Sequence, residues 1–143
     1  MKRTVAKLLE DRESEMWSIT PTATVFEALE LLAEHNIGAT VVVEEGNLVG
    51  IVSERDYARK VILAGMSSRE TLVRDIMTPN PSTISIDQTV DDCMKIMTEG
   101  GFRHLPVLDD GELAGIVSIA DVVRAVMHNQ ASLIADLERY ISG

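Results

Sequence analysis

Apolar residues along the chain fall into short runs, and the pattern of those runs occurs twice. Gly50-Ile51-Val52-Ser53-Glu54-Arg55-Asp56 and Gly115-Ile116-Val117-Ser118-Ile119-Ala120-Asp121 each read as a buried strand passing into a helix start, 65 residues apart. The same spacing lays Ile19 on Ile84, Thr24-Val25 on Thr89-Val90, Gly46 on Gly111, Leu48 on Leu113 and Arg59 on Arg124 without a gap. The chain is one unit duplicated.

In the first unit, Trp17-Ser18-Ile19 is an extended piece stopped by Pro21. Thr24 and Glu27 have capping-box spacing and open a helix with Val25, Leu29, Leu32 and Ala33 on one face. Asn36-Ile37-Gly38 ends it, since Asn and Gly tolerate the positive φ of a helix stop. Residues 40–43 and 48–52 form a hairpin around Glu44-Glu45-Gly46-Asn47, and Ser53 opens a helix through Tyr57, Ala58, Val61 and Ile62 to Gly65. The second unit repeats this. A strand lies near 83–86, and a helix from Thr89 turns Val90, Cys93, Met94 and Met97 inward. After the break at Gly100-Gly101 come strands 105–108 and 113–117 around Asp109-Asp110-Gly111, then a helix from Ser118.

A helix turn over 4–10 points Val5, Leu8 and Leu9 inward, and Val73-Arg74-Asp75-Ile76-Met77 echoes it. Residues 11–15 form a charged, exposed connection. Thr78-Pro79-Asn80-Pro81 holds two prolines and is neither regular helix nor central strand. Residues 129–143 add an amphipathic helix with Leu133, Leu137 and Tyr140 on one stripe. The organisation is therefore a first unit over 5–65, a second over 73–128 and an appended helix. The fold class is α/β (α+β), each unit a three-stranded sheet backed by two helices. A pseudo-twofold would let the two units cover each other's open sheets and leave two equivalent clefts, natural places for a ligand.

Composition narrows the function classes. Each half has about 60 residues, near the lower limit for an independent core, so the halves pack on each other. No apolar run reaches the ~20 residues of a membrane span. Met1-Lys2-Arg3-Thr4-Val5 has no signal-peptide apolar block, so a cytosolic protein is expected. The net charge of −10 repels nucleic acid, and 3% aromatic content is too little for base-stacking platforms. Cys93 is the only cysteine, which excludes an internal disulfide, and it reads as a small hydrophobe on a helix face. The three histidines, His35, His104 and His128, are scattered, with His35 and His128 on helix surfaces. Neither a catalytic triad spacing nor a Gly-Lys-Ser/Thr phosphate loop occurs, so no enzyme is expected.

Ser-x-x-Asp at a helix start has two readings. As a capping box, the Ser side chain caps a backbone N–H and the acid sits at the positive end of the helix. As a ligand site, the carboxylate accepts both hydroxyls of a ribose while the hydroxyl and free N–H groups receive phosphate. The second reading requires the motif to follow a strand and face a cleft, and both copies follow one. Arg55, Arg103 and His104 add cationic groups near the strand ends. Ile37-Gly38-Ala39 and Phe102-Arg103-His104 stand at corresponding places before the middle strands, and the small Gly38-Ala39 pair lets a flat purine reach the main chain.

Residues 19–61 and 84–126, each carrying Gly-Ile-Val-Ser-x-x-Asp, resemble cystathionine β-synthase (CBS) domains, and the tandem resembles a CBS pair, or Bateman module. The phrases Ser-Glu-Arg-Asp-Tyr-Ala-Arg-Lys and Phe-Arg-His-Leu-Pro-Val are similar to those of stand-alone members. The resemblance implies a regulatory module that binds adenosine-containing ligands (AMP, ADP, ATP, NAD or S-adenosylmethionine) between the two motifs, forms a homodimer and acts on a partner protein. Carried over, one site would use Ser118 and Asp121 with Ile116, Ile37, Gly38, Ala39 and Trp17 or Ser18 around adenine, and Arg103 and His104 at phosphates. The other would use Ser53, Asp56 and Ile51, with Thr78, Thr83, Phe102 and Arg103 opposite. Glu10 stands where the second unit has Thr78, and Thr40-Val41 where it has Leu105-Pro106, so the resemblance implies two unequal sites.

Overall fold

A computed structural model of the chain describes residues 3–10 and 16–142, with α1 (Val5–Glu10), β1 (Ser18–Ile19), α2 (Val25–His35), β2 (Ala39–Glu44) and β3 (Asn47–Ser53) first. There follow α3 (Glu54–Tyr57) running into a π turn (Ala58–Ile62), α4 (Val73–Ile76), β4 (Thr78–Pro79) and β5 (Ile84–Ser85). The chain closes with α5 (Val90–Gly100), β6 (His104–Asp109), β7 (Glu112–Ser118) and α6 (Ile119–Ser142). The connection expected over 11–15 lies outside the described residues, as do the side chains of Leu133 and Tyr140.

The duplication holds in register. β1 runs parallel to β2 with Ile19 opposite Val42, and β5 parallel to β6 with Ile84 opposite Val107. Each hairpin is antiparallel and carries a bulge at the same place, Val42/Val43 and Val107/Leu108. Both turn over a pair of left-handed residues, Glu45-Gly46 and Asp110-Gly111, the conformation a tight two-residue hairpin needs. The first sheet has a fourth strand beyond the three expected: β4 pairs antiparallel to β3 at the edge, with Thr78 opposite Ile51 and Pro79 opposite Gly50. Proline is admissible there because one side of an edge strand needs no donor.

Helix α2 starts with the Thr24 hydroxyl accepting from the Glu27 N–H, and α5 with the complete box between Thr89 and Asp92. The inner faces differ by one position from the expected ones. Ala28, not Ala33, joins Val25 and Leu32 in the core, and Met94 is exposed while Val90, Cys93 and Met97 are buried.

Each unit has its own core, and the short helices are exchanged between them. Val25, Ala28, Val42, Val52 and Val61 pack with Val73 and Ile76 of α4, whereas Ile84, Val90, Cys93, Val107 and Val117 pack with Val5 and Leu8 of α1. The first helix of the chain thus closes the second unit. Its backbone is tied there by Val5 N–H to the Gln88 carbonyl (2.8 Å) and Val90 N–H to the Arg3 carbonyl (2.9 Å). The matching bonds of α4 run from Val73 N–H to the Ala23 carbonyl (2.9 Å) and from Val25 N–H to the Thr71 carbonyl (2.8 Å). Burying Val5 and Leu8 contributes about 1.5–3 kcal/mol each.

The helix expected from Ser53 to Gly65 is not regular. After one α turn it widens, with Leu63 N–H bonding the Ala58 carbonyl five residues back (3.2 Å). The repeat supplies the reason. Lys60 aligns with Ala125, which is 4% exposed in α6, and a lysine cannot be buried unpaired there. Widening the turn by one residue puts Val61 (1% exposed) into the core and leaves Lys60 at the rim. In the second unit no such conflict exists, and α6 runs unbroken for 24 residues, so the helix expected as an appendage over 129–143 continues the unit's own last helix.

Candidate functional site

Two clefts open between the units, one at each strand-to-helix passage. The passages are pinned to the loops before the middle strands by equivalent bonds: Glu54 N–H to the Gly38 carbonyl (3.0 Å) and Ile119 N–H to the Arg103 carbonyl (2.8 Å). Cleft 1, about 640 Å³, is lined by Ile51, Ser53 and Asp56 of the first unit and by Phe102, Arg103 and His104 of the second. Thr78, Asn80, Pro81 and Ser82 line it as well. Cleft 2, about 860 Å³, is lined by Ile116, Ser118 and Asp121 of the second unit and by Trp17, Ile37, Gly38 and Ala39 of the first. Gly38, Arg103 and His104 line both clefts.

Both motif carboxylates line a cleft and close a helix cap together. Asp56 Oδ2 accepts from the Ser53 N–H (2.9 Å) and hydroxyl (3.1 Å), and the Asp56 N–H donates back to Ser53 Oγ (3.2 Å). Asp121 repeats this with Ser118 at 2.8, 3.0 and 3.2 Å. The second oxygen is held by a cation in each case: Lys60 Nζ reaches Asp56 Oδ1 at 3.2 Å, and Arg124 Nη2 reaches Asp121 Oδ1 at 2.9 Å. The cap fixes each carboxylate through Oδ2, and an incoming donor would share Oδ1 with the cation already there.

The walls differ. In cleft 2, Trp17 stacks on His35 with ring centroids 3.5 Å apart and planes 12° from parallel, so His35 belongs to the wall rather than to an open helix surface. Thr40, buried, holds this wall by donating to the Trp17 carbonyl (2.9 Å). In cleft 1, Phe102 packs over Gly100, where a Cβ would come within 2.1 Å of its ring. His104 lies between the clefts, and burial pushes its imidazole below the ordinary value; Asp121 pulls it up and Arg103 lowers it further.

Of the residues singled out from the sequence, Ser53, Arg55, Asp56, Ile51, Thr78, Phe102, Arg103 and His104 come together in cleft 1. Ser118, Asp121, Ile116, Ile37, Gly38, Ala39 and Trp17, with Arg103 and His104, come together in cleft 2. Ser18 and Thr83 line neither. Successive strand residues alternate sides, so Trp17 faces the cleft while Ser18 sits exposed in β1, and Asn80, Pro81 and Ser82 occupy the wall expected of Thr83. Glu10 pairs with Lys7 at 3.6 Å and lines neither cleft. Glu54, Arg59 and Lys60 in cleft 1, and His35, Asn36 and Arg124 in cleft 2, were not foreseen. The alignment of Arg59 with Arg124 was a signal for two of them.

Among the described residues no group of three or more His, Cys, Asp or Glu side chains could hold a metal ion, and no helix is long and apolar enough to cross a membrane. Cys93 is buried, and desolvation with the nearby Asp92 charge pushes its thiol up to about 11.

The CBS domain family pattern matches residues 12–63 and again 73–128. The mitochondrial CBS domain-containing protein CBSX3 of Arabidopsis thaliana is 43% identical over 135 residues, covering 91% of this chain. The match spans 65% of CBSX3, just under two thirds of its length. A CBS-domain containing protein from Agrobacterium tumefaciens superposes with a TM-score of 0.80 at 40% identity, covering 85% of this chain and 98% of that one. The structure of CBSX2 in complex with AMP gives a TM-score of 0.70 at 29% identity, covering 90% and 98%. With the family pattern matched twice, once over each unit of the internal repeat, the chain belongs to the CBS domain family and is a tandem pair of CBS domains.

Proposed function

We propose that this chain is a cytosolic, non-enzymatic sensor that binds adenosine-containing ligands (AMP, ADP, ATP, NAD or S-adenosylmethionine) in its two clefts. The observation that carries this reading is the capped carboxylate of Ser-x-x-Asp lining each cleft, with the low-bulk stretch Ile37-Gly38-Ala39 lining cleft 2 as well. A ribose diol donates to that carboxylate, and the cation beside it, Lys60 or Arg124, turns to phosphate. The AMP complex of CBSX2 supports the ligand class. Because each cleft has walls from both units, an occupant clamps them together and shifts a conformational or homodimer equilibrium that a partner protein reads.

Calorimetric titration of the whole chain with AMP, ATP and NAD tests this. Micromolar-to-millimolar binding, lost in Asp56→Ala/Asp121→Ala, is expected; no binding, or unchanged binding by the double variant, refutes it. A second reading follows from the complete capping boxes: an interaction module in which the motifs only start helices. In that case Asp121→Asn costs about 1 kcal/mol of stability and changes no ligand response.

A further inference from the structure

The two clefts are not equally charged. Cleft 1 gathers Arg55, Arg59, Lys60 and Arg103 against Glu54 and Asp56, while cleft 2 sets Arg103 and Arg124 against Asp121. This local excess sits in a chain with a net charge of −10, so the overall field does not produce it.

By the 65-residue correspondence Glu54 and Lys60 stand where the second unit has Ile119 and Ala125, so the clefts differ by one net positive charge, and two arginine positions set them further apart. Arg55 stands where the second unit has Ala120. Arg59 corresponds to Arg124, but Arg124 is committed to Asp121 at 2.9 Å. In the first unit the π turn hands that task to Lys60, at 3.2 Å from Asp56 and 2.8 Å from the Ile76 carbonyl. Arg55 and Arg59 hold no ion pair among the described residues. Two exposed guanidinium forks that are in no ion pair therefore border cleft 1 beside Glu54 and Asp56, in the planar geometry that matches phosphate oxygens.

We propose that cleft 1 takes the adenosine ligand that carries two or more linked phosphates, a nucleoside di- or triphosphate or a pyrophosphate-bridged dinucleotide, while cleft 2 takes a monophosphate. This rests on the adenosine reading above and goes beyond it in assigning phosphate number to each cleft.

The test is calorimetric titration of the full chain with AMP, ADP and NAD, using wild type, Arg55→Ala/Arg59→Ala and the charge-matched control Arg74→Ala/Lys95→Ala, whose exposed residues line neither cleft. Wild type is expected to bind ADP or NAD at one site at least about tenfold more tightly than AMP, a step the loss of one charge-assisted contact accounts for. Arg55→Ala/Arg59→Ala brings the preferred ligand to within about threefold of AMP, and the control keeps the full preference. Tighter NAD than ADP assigns the dinucleotide, and the reverse assigns the mononucleotide. Equal affinity for all three in wild type, a preference that survives Arg55→Ala/Arg59→Ala, or one lost equally in the control overturns the inference and leaves the adenosine reading standing. Absence of any binding ends both.

Discussion

Gly50 and Gly115 are equivalent in the repeat, yet replacing each with alanine has different consequences. A Cβ on Gly50 would lie 2.6 Å from Met77 Sδ and 2.9 Å from the Thr78 carbonyl oxygen. On Gly115 it would meet only the end of Leu9, at 3.3 and 3.4 Å. Neither glycine has positive φ, so alanine can follow both backbones. Alanine restricts the unfolded chain at each site, worth about 0.4–1 kcal/mol. At Gly115 the leucine tip yields, and Gly115→Ala stays within about 0.5 kcal/mol of wild type. At Gly50 the thioether can turn away, but the carbonyl is main chain and moves only if β4 separates from β3. Overpacking of this kind costs about 1–3 kcal/mol, so Gly50→Ala ends about 1–2 kcal/mol less stable. For a chain of this length that lowers Tm by roughly 2–4 °C per kcal/mol. Urea denaturation followed by far-UV circular dichroism, with equal slopes for the three proteins, measures the difference. Because Thr78 lines cleft 1, ligand affinity there falls with Gly50→Ala alone. Equal stabilities for the two variants would refute the reasoning.

Three further outcomes follow from the structure. Lys60→Ala removes the charge that the regular helix could not bury, so a crystal structure of the variant should show unbroken α-helix from 54 to 65; a persisting π turn contradicts the explanation given. His104 is held below its ordinary value of 6.5 in the fold, first by burial and then by Arg103, against the pull of Asp121. Above that pH both states are neutral; as pH falls through it the unfolded chain takes up the proton first, so this contribution to stability declines downward from about pH 6.5. The stability advantage of wild type over His104→Gln should shrink between about pH 7.5 and pH 5, and an advantage that grows on acidification counts against it. Cys93, buried and with its thiol near 11, should resist Ellman's reagent at pH 8 in the native protein and react once urea unfolds it.

Local chemistry was legible in the chain. Glu45-Gly46 and Asp110-Gly111 announce tight hairpins, and Ser53 and Ser118 announce helix starts, because turn and cap preferences act over three or four residues. The paired registers then brought most of the cleft residues together. What escaped depends on tertiary context. Nothing in Val5-Ala6-Lys7-Leu8-Leu9 says which sheet it covers, since an apolar stripe suits either core equally. The edges of a short helix's apolar face are set by what packs against it, hence Ala28 rather than Ala33 beside Val25 and Leu32. Lys60 under Ala125 was visible in the alignment as a charge at an interior position, the mark of a broken helix, and reading it would also have exposed Arg59 as a cleft residue.

The crossing of α1 and α4 bears on how such a chain can be divided. Severed in the connector at 67–71, it would give one fragment holding the helix its neighbour lacks and another holding the reverse, each missing several kcal/mol of a margin that totals only about 5–15. Only a mixture of both pieces restores the whole. Two identical one-unit chains would meet the same need by trading their leading segments, and the tandem has the geometry of such a couple joined by a tether.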